Sequence, residues 1–459
     1  MRVINVIALG LLTIPALTAA AHDLERETLA PDDGWAAFGA GTTGGSLATD
    51  DQVYTVTNRR EFIAALNNGV PSSTSPSNPS NVPKIIRVQG TIDFNVDDDN
   101  QPLECENYFR ADPTTGELFS YEAFEAAFDP NGPWGRVNPS GPQERARVAS
   151  AAAQQARVRI RPGSNTTIVG VDQDATLKGI WMDIRGTANV PNSRMNIIVR
   201  NLNFIDTHDC FPQWAPNDGA LGSWNALYDS ISLRDANNVW VDNNHFEDLE
   251  TADAGLPLRF GVLFQVHDGL LDITNASDLV TASWSVFRNH DKVMLIGSSD
   301  NAPADVGKLR VTLHHNLFDA LGQRVPRVRF GQVHVYNNYY KICATSNYGY
   351  SWGVGIQSQI YAEENFFLLD TNAIAPARII SRFNGTNIHA AGSLVLAGWR
   401  HRHVDLVAEY NAVNDPDLVP TVAWAPTLYG KVHNAHAVAA LVTVFAGTSL
   451  PRPPFFQCR

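Results

Sequence analysis

The stretch RVTLHHNLFDA, Arg310 to Ala320, is followed closely by QVHVYNNYYKI, Gln332 to Ile342. Set one over the other, they align Phe318 with Tyr340 and Asn316 with Asn338. Each opens with alternating, partly β-branched residues, the period-two signature of a strand, and then reaches an asparagine-containing bend. The same frame recurs in NIIVRNLNFID (Asn196 to Asp206), NVWVDNNHFED (Asn238 to Asp248), LVTASWSVFRN (Leu279 to Asn289) and QIYAEENFFLL (Gln359 to Leu369). The remaining aligned aromatics are Phe204, Phe246, Phe287 and Phe367, and Asn244 and Asn365 fall at the asparagine position.

A supersecondary unit that repeats at nearly fixed spacing stacks on its neighbours and buries one continuous core. The shortest interval, Phe318 to Tyr340, is about the length of one three-strand coil, and the longer intervals leave room for loops on one face. The fold expected is therefore all-β, a right-handed parallel β-helix with short capping helices, in which a ladder of asparagines satisfies main-chain groups at the bends. A β-sandwich with chance likeness between strands is the competing reading, and six aligned units weigh against it. Asn58 followed by Glu61 predicts a capped helix through Leu66 that closes one end of the stack. Pro142 to Arg157 predicts a second helix, inside an insertion at about 97–157 whose role is not legible. The tail after Ala408 lacks the repeat and is expected to pack along the outside.

Arg2, the apolar run Val3 to Leu17, and Ala19 with Ala21 make residues 1–21 an expected signal peptide, leaving 22–459 as one secreted domain. No later run is long and charge-free enough to span a membrane, so no membrane partner is expected. Four cysteines far apart suit disulfides rather than a metal cluster, and the expected pairs are Cys105 with Cys210 and Cys343 with Cys458. Sequons at Asn165, Asn275 and Asn384 are candidate glycan sites. With 34 basic against 47 acidic residues and a net charge of -13, nucleic acid is excluded as the expected partner.

Chemistry concentrates in three places. Asp229 lies in LYDSISL, and Asp268 and Asp272 lie four apart in HDGLLDI, which is either a solvated acidic pair or a site for a hard cation. NHDKVMLIGSSD, Asn289 to Asp300, places His290, Asp291 and Lys292 before the apolar run Val293 to Ile296, as if a core strand were entered through charge. GQRVPRVRFG, Gly322 to Gly331, carries Arg324, Arg327 and Arg329 around Pro326; if extended, Arg327 and Arg329 share a face while Arg324 sits on a bend. Such a row suits carboxylates on a polymer, or salt bridges to the surplus acids.

Together YDSISL, QVHDGLLDI, NHDKVMLIGSSD, LRVTLHHNLFD and QRVPRVRFGQVHVYNNYY resemble the secreted pectate lyases of polysaccharide lyase family 1, over about Gly163 to Phe367. The resemblance implies cleavage of polygalacturonate, de-esterified pectin, by calcium-dependent β-elimination. It implies that Asp229, Asp268 and Asp272 hold Ca2+, that Arg324 is the catalytic base, and that Lys292 and Arg329 bind substrate carboxylates. His290 and Asp291 are read as supporting residues. A guanidinium serves as a base only after losing a proton, so the resemblance also implies an alkaline rate optimum. Two departures stand out: Asn243 where the family usually has histidine, and Leu263-Phe264 where Pro-Tyr is common. The acidic trio disfavours a pectin lyase acting on methyl-esterified chains, and the lack of an aspartate constellation with G-H-G or R-I-K motifs disfavours a hydrolase. A catalytically silent wall-binding β-helix is the remaining alternative. A monomer is expected.

Overall fold

The computed structural model describes residues 24–187, 190, 193–343, 347–369, 374–397 and 400–448. The expected signal peptide and the pairing of Cys343 with Cys458 fall outside those residues. The chain winds into three sheets of ten, eight and ten strands whose neighbours are separated by whole coils. One coil shows the plan: Val311–His314 in the first sheet, Leu317–Gln323 in the third, Arg327–Val328 in the second, then Gln332–Tyr336 back in the first. Within these sheets pairing is parallel except at the final pair, Leu394–Ala397 with Arg400–His403. This is the parallel β-helix that the repeat predicted.

The aligned aromatics form a continuous stack. Phe204, Phe246, Phe287, Phe318, Tyr340 and Phe367 lie ring on ring, with centres 4.5 to 5.3 Å apart, which matches the spacing between neighbouring strands. Beside them runs the ladder: Asn316 N donates to Asn338 Oδ1 at 2.9 Å and Asn338 N to Asn365 Oδ1 at 3.0 Å. Ser285 supplies the rung between Asn244 and Asn316, its hydroxyl accepting from Asn244 N at 3.1 Å. The bend itself is made one residue earlier, by Asn243, Trp284, His315, Asn337 and Glu364, at φ of 48 to 55°. Asparagine tolerates that left-handed conformation but Trp284 and Glu364 are of types that rarely take it, so at those corners the side-chain ladder and the stacked core hold the bend rather than local propensity.

Both ends are closed. Asn58 Oδ1 accepts from Glu61 N at 3.0 Å to start helix Arg59–Leu66, which buries Phe62, Ile63 and Leu66 against the first coils. At the far end the expectation for the tail needs correction. Helix Leu406–Asn411 straddles Ala408 and puts Leu406, Val407 and Tyr410 into the main core. Leu418 also joins that core, and farther on helix Ala435–Phe445 lies outside, where it covers Phe366, Leu368, Leu394 and Leu396.

The insertion folds around its own apolar cluster. Helix Pro142–Val158 ends one residue past its expected end, and helix Tyr121–Phe128, which was not expected, brings Phe124 and Phe128 to Phe119, Phe211, Trp214, Trp224 and Phe264. The expected disulfide between Cys105 and Cys210 ties this cluster to the loop ahead of Asp229.

Candidate active site

The outer face of the second sheet carries the site. Strand Ile231–Arg234 follows Asp229, and Leu271–Thr274 contains Asp272; they pair in parallel with Ser232 beside Asp272. Alternation sends Leu233 and Ile273 into the core, both 0 % exposed, and turns Ser232 and Asp272 outward. Asp229 Oδ1 accepts from Gly269 N at 2.8 Å while its Oδ2 accepts from the Ser232 hydroxyl. Asp272 Oδ1 accepts from Leu295 N at 2.9 Å. A Cβ on Gly269 would lie 2.4 Å from Asp272 Oδ1 and 2.9 Å from Asp229 Oδ1, so the two carboxylates close over a position only glycine can occupy.

Burial, and then the neighbouring Asp268, pushes Asp229 up to about 7. Asp272 is raised well above the carboxylate range by burial, Asp229 and Asp268. Two buried acids that resist ionisation side by side have the electrostatics of a site completed by a cation. Asp268 is half-buried and turned to Lys292, with Nζ 3.1 Å from Oδ1. The trio is therefore more open than a closed donor cage. Among the described residues, Cys105, His208 and Cys210 are the group of three possible donors whose ligand atoms all lie within 4.8 Å, and two of those are spent in the disulfide.

Lys292 is placed differently from the sequence expectation. Val286–Lys292 is itself a strand of the third sheet, Val293 and Met294 form the corner, and Leu295–Ile296 begins the second sheet. The charge therefore ends one strand instead of opening another, and the buried Val293, Met294 and Ile296, all 0 % exposed, fix the corner from which Lys292 projects. His290, on the same strand, joins Asp248 Oδ2 at 2.7 Å and the Asp268 carbonyl at 2.8 Å. Burial opposes its charge, but Asp248 outweighs it and lifts His290 to about 9. A histidinium thus clamps the main chain of Asp268, the supporting part expected of it.

The equivalent corner one coil later carries Arg324. It takes φ of 59°, and its Nε is buried without a hydrogen-bond partner among the described residues. It lies near enough to Asp272 to act on that carboxyl. Arg327 and Arg329 flank the inward Val328 on the same outer face, as alternation predicted. Arg327 stacks on Phe383 at 4.0 Å, and its pKa is lowered by burial and then by Arg329. Arg329 Nε donates to Asp300 Oδ1 at 2.6 Å and Nη1 to the Gly297 carbonyl at 2.8 Å. The structure thus gathers Asp229, Asp268, Asp272, Lys292 and Arg324, and sets Arg329 to one side with Asp300. Ser232, Gly269 and Asp248 escaped the sequence reading: Gly269 and Asp248 meet Asp229 and His290 only through coiling, and the Ser232 hydroxyl meets Asp229 three residues away with no motif to mark it.

Residues 140–408 match the pectate lyase family model. A pectate lyase of Bacillus subtilis (strain 168) is 39% identical over 94% of this chain and 94% of its own. The chain belongs to the pectate lyase family. Its activity is that of a pectate lyase, a polysaccharide lyase. The fold agrees: a thermostable pectate lyase, PL 47, superposes with a TM-score of 0.87 at 45% identity, covering 94% of this chain and 100% of its own. A pectate lyase bound to a hexasaccharide superposes with a TM-score of 0.82 at 37% identity, covering 93% of this chain and 99% of its own. Among the described residues no helix is long and apolar enough to cross a membrane.

The two departures from the family pattern have structural jobs. Asn243 makes a left-handed bend and donates from Nδ2 to the Phe445 carbonyl at 2.8 Å, anchoring the tail helix. Phe264 is buried in the insertion's aromatic cluster.

Proposed function

We propose that the protein acts outside the cell as a single-domain monomer, cleaving α-1,4-linked polygalacturonate by calcium-dependent β-elimination. The observation that carries this reading is the left-handed Arg324, its buried Nε without a hydrogen-bond partner among the described residues, beside Asp272 of the acidic cluster. All-oxygen donors, two of them the buried carboxylates of Asp229 and Asp272 whose ionisation burial opposes, fit a hard cation, and with Asp268 they would hold calcium. Bound there, calcium would supply positive charge against the uronate carboxylate.

The chain's own groups do the rest. Arg324, in its neutral form, removes the proton from carbon 5, next to the uronate carboxylate. The electron pair left on carbon 5 forms the double bond to carbon 4 as the carbon 4 to glycosidic oxygen bond breaks, and the departing oligosaccharide takes up a proton. Lys292 and Arg329 bind uronate carboxylates by exchanging Asp268 and Asp300 for substrate, so charge is neutralised where it develops. The corners that carry Arg324 and Lys292 are braced by buried residues, which limits the reorganisation needed during reaction.

The test is ultraviolet absorbance during incubation with polygalacturonate at alkaline pH, with calcium and then with excess chelator. The expected result is a rise from unsaturated products that chelator abolishes. New reducing ends without absorbance, or a rate profile peaking below neutrality, would overturn the reading.

A further inference from the structure

The outer face of the second sheet does not end at the acidic cluster. Ile184, Leu233, Ile273, Ile296 and Val328 are all 0 % exposed and mark the inward column. The residue after each faces out. Arg185 pairs beside Arg234, and Arg234 beside Thr274. Carried one residue past the pairs Ile273 with Ile296 and Ile296 with Val328, the same column continues to Gly297 and Arg329. A Cβ on Gly297 would lie 2.9 Å from that of Arg329, so their adjacency is direct. Arginines thus stand at both ends of one column, with only Thr274 and Gly297 between them. From Arg329 to Arg185 is four strand steps, about 19 Å at the usual strand spacing.

The far end is a concentration of cations in a chain whose net charge is -13. Asp183, fully buried, faces Arg161 Nε at 3.3 Å and Arg185 Nε at 3.2 Å. Arg159 and Arg234 lie 5.7 and 5.6 Å from the centre of the Trp181 ring. Arg234 has no carboxylate within ion-pair distance among the described residues, and Arg185 shares Asp183 with Arg161. Within ion-pair distance one carboxylate therefore serves two of these four guanidiniums, and Arg159 and Arg234 have none among the described residues. Arg159 is lowered by burial and then by Arg161, the mark of cations crowded together. The cluster is also tied to the acidic site, since Trp181 Nε1 donates to Ser232 Oγ at 2.8 Å and that hydroxyl donates to Asp229.

We propose that Arg185 and Arg234, backed by Arg159 and Arg161, form a second carboxylate-binding station for the same polygalacturonate chain, beyond the acidic cluster from Arg329. This rests on the proposed function and extends it. A polyanion lying along the sheet meets guanidiniums at two places about 19 Å apart, so chains long enough to span both are held more tightly than short ones, and methyl esterification under the far station weakens that hold.

Arg185→Gln with Arg234→Gln is compared with Arg185→Lys with Arg234→Lys, which keeps the charge and reports on folding. Initial rates are taken on long polygalacturonate and on a galacturonate trimer, and affinity for the long polymer is measured by gel electrophoresis in excess chelator. Each charge-assisted contact removed is expected to lower kcat/KM on the polymer about tenfold. The loss on the polymer should exceed that on the trimer at least fivefold, with the lysine pair in between. Equal losses on polymer and trimer, or unchanged polymer affinity in the glutamine pair, would overturn the station. Absence of elimination by the unmodified protein would overturn the proposed reaction instead, and the chelator-phase affinities would still decide the station.

Discussion

Replacing Asn338 by alanine tests what holds the coils together. Asn338 is 0 % exposed. Its Oδ1 accepts from Asn316 N at 2.9 Å and Asn316 Nδ2 at 3.0 Å, while its Nδ2 donates to the Leu313 carbonyl at 2.9 Å and Asn365 Oδ1 at 3.2 Å. After truncation, Asn316 Nδ2 keeps the Ala282 carbonyl at 2.9 Å and Asn365 Oδ1 keeps Asn338 N at 3.0 Å. The group left without its partner is Asn316 N. An orphaned buried donor costs about 1–3 kcal/mol, and each lost but replaceable bond about 0.5–1.5 kcal/mol. The expected loss is therefore on the order of 3–5 kcal/mol. Asn338→Ser should cost much less, about 1–2 kcal/mol, because Ser285 already serves as a rung, its hydroxyl accepting from Asn244 N and donating to the Ser283 carbonyl at 3.0 Å. Guanidinium unfolding followed by tryptophan fluorescence, with equal m-values, measures both. An alanine variant within about 1 kcal/mol of the parent, or a serine variant no better than alanine, would refute the ladder as a source of stability.

Gly269→Ala places a methyl against Asp229 and Asp272; calcium affinity by calorimetry should fall at least about tenfold, and unchanged affinity would contradict the placement of the cation. Arg324→Ala should keep polygalacturonate binding while turnover drops roughly 10²–10⁴-fold; retained turnover would remove Arg324 from the role of base. His315 lies in a chain with His314 Nδ1 at 2.9 Å and His433 Nδ1 at 3.0 Å, and burial followed by those two rings pushes it down to about 2. The unfolded chain binds a proton near pH 6.5 that the folded chain refuses, so this contribution is full above about 6.5 and is lost as pH falls, by up to about 1.4 kcal/mol per pH unit. His315→Asn should flatten that slope in pH-dependent melting, whereas an unaltered slope would assign the acid sensitivity elsewhere.

The repeat was legible because burial of one axis forces every coil to present an aromatic and a hydrogen-bonding residue at the same place, and such a constraint is written at fixed spacing. Phe318 over Tyr340 and Asn316 over Asn338 could be paired from letters alone. Capping was equally local, since Asn58 Oδ1 accepts from Glu61 N three residues on and Glu61 Oε2 accepts from Thr57 N four residues back. The insertion was not legible: Phe119, Phe124, Phe211, Trp224 and Phe264 have no period and meet only after the coils position two separate loops. The corner at Val293 and Met294 was misplaced for a related reason, because a short apolar run looks the same in a strand and at a buried bend.

For the site, the residue types came from the sequence and their partnerships from the fold. Asp229, Asp268, Asp272, Lys292, Arg324 and Arg329 were identifiable by motif, and a helical coil returns residues distant in the chain to adjacent strands. What no local pattern encodes is which charges then face one another. Asp268 turns to Lys292, Arg329 to Asp300, and His290, held by Asp248, clamps the Asp268 carbonyl. The column from Arg329 to Arg185 likewise exists only because register fixes which side chains point outward on successive strands. Periodic burial is a short-range, repeated demand that leaves its trace in sequence; electrostatic partnership is a single long-range event, decided by tertiary packing.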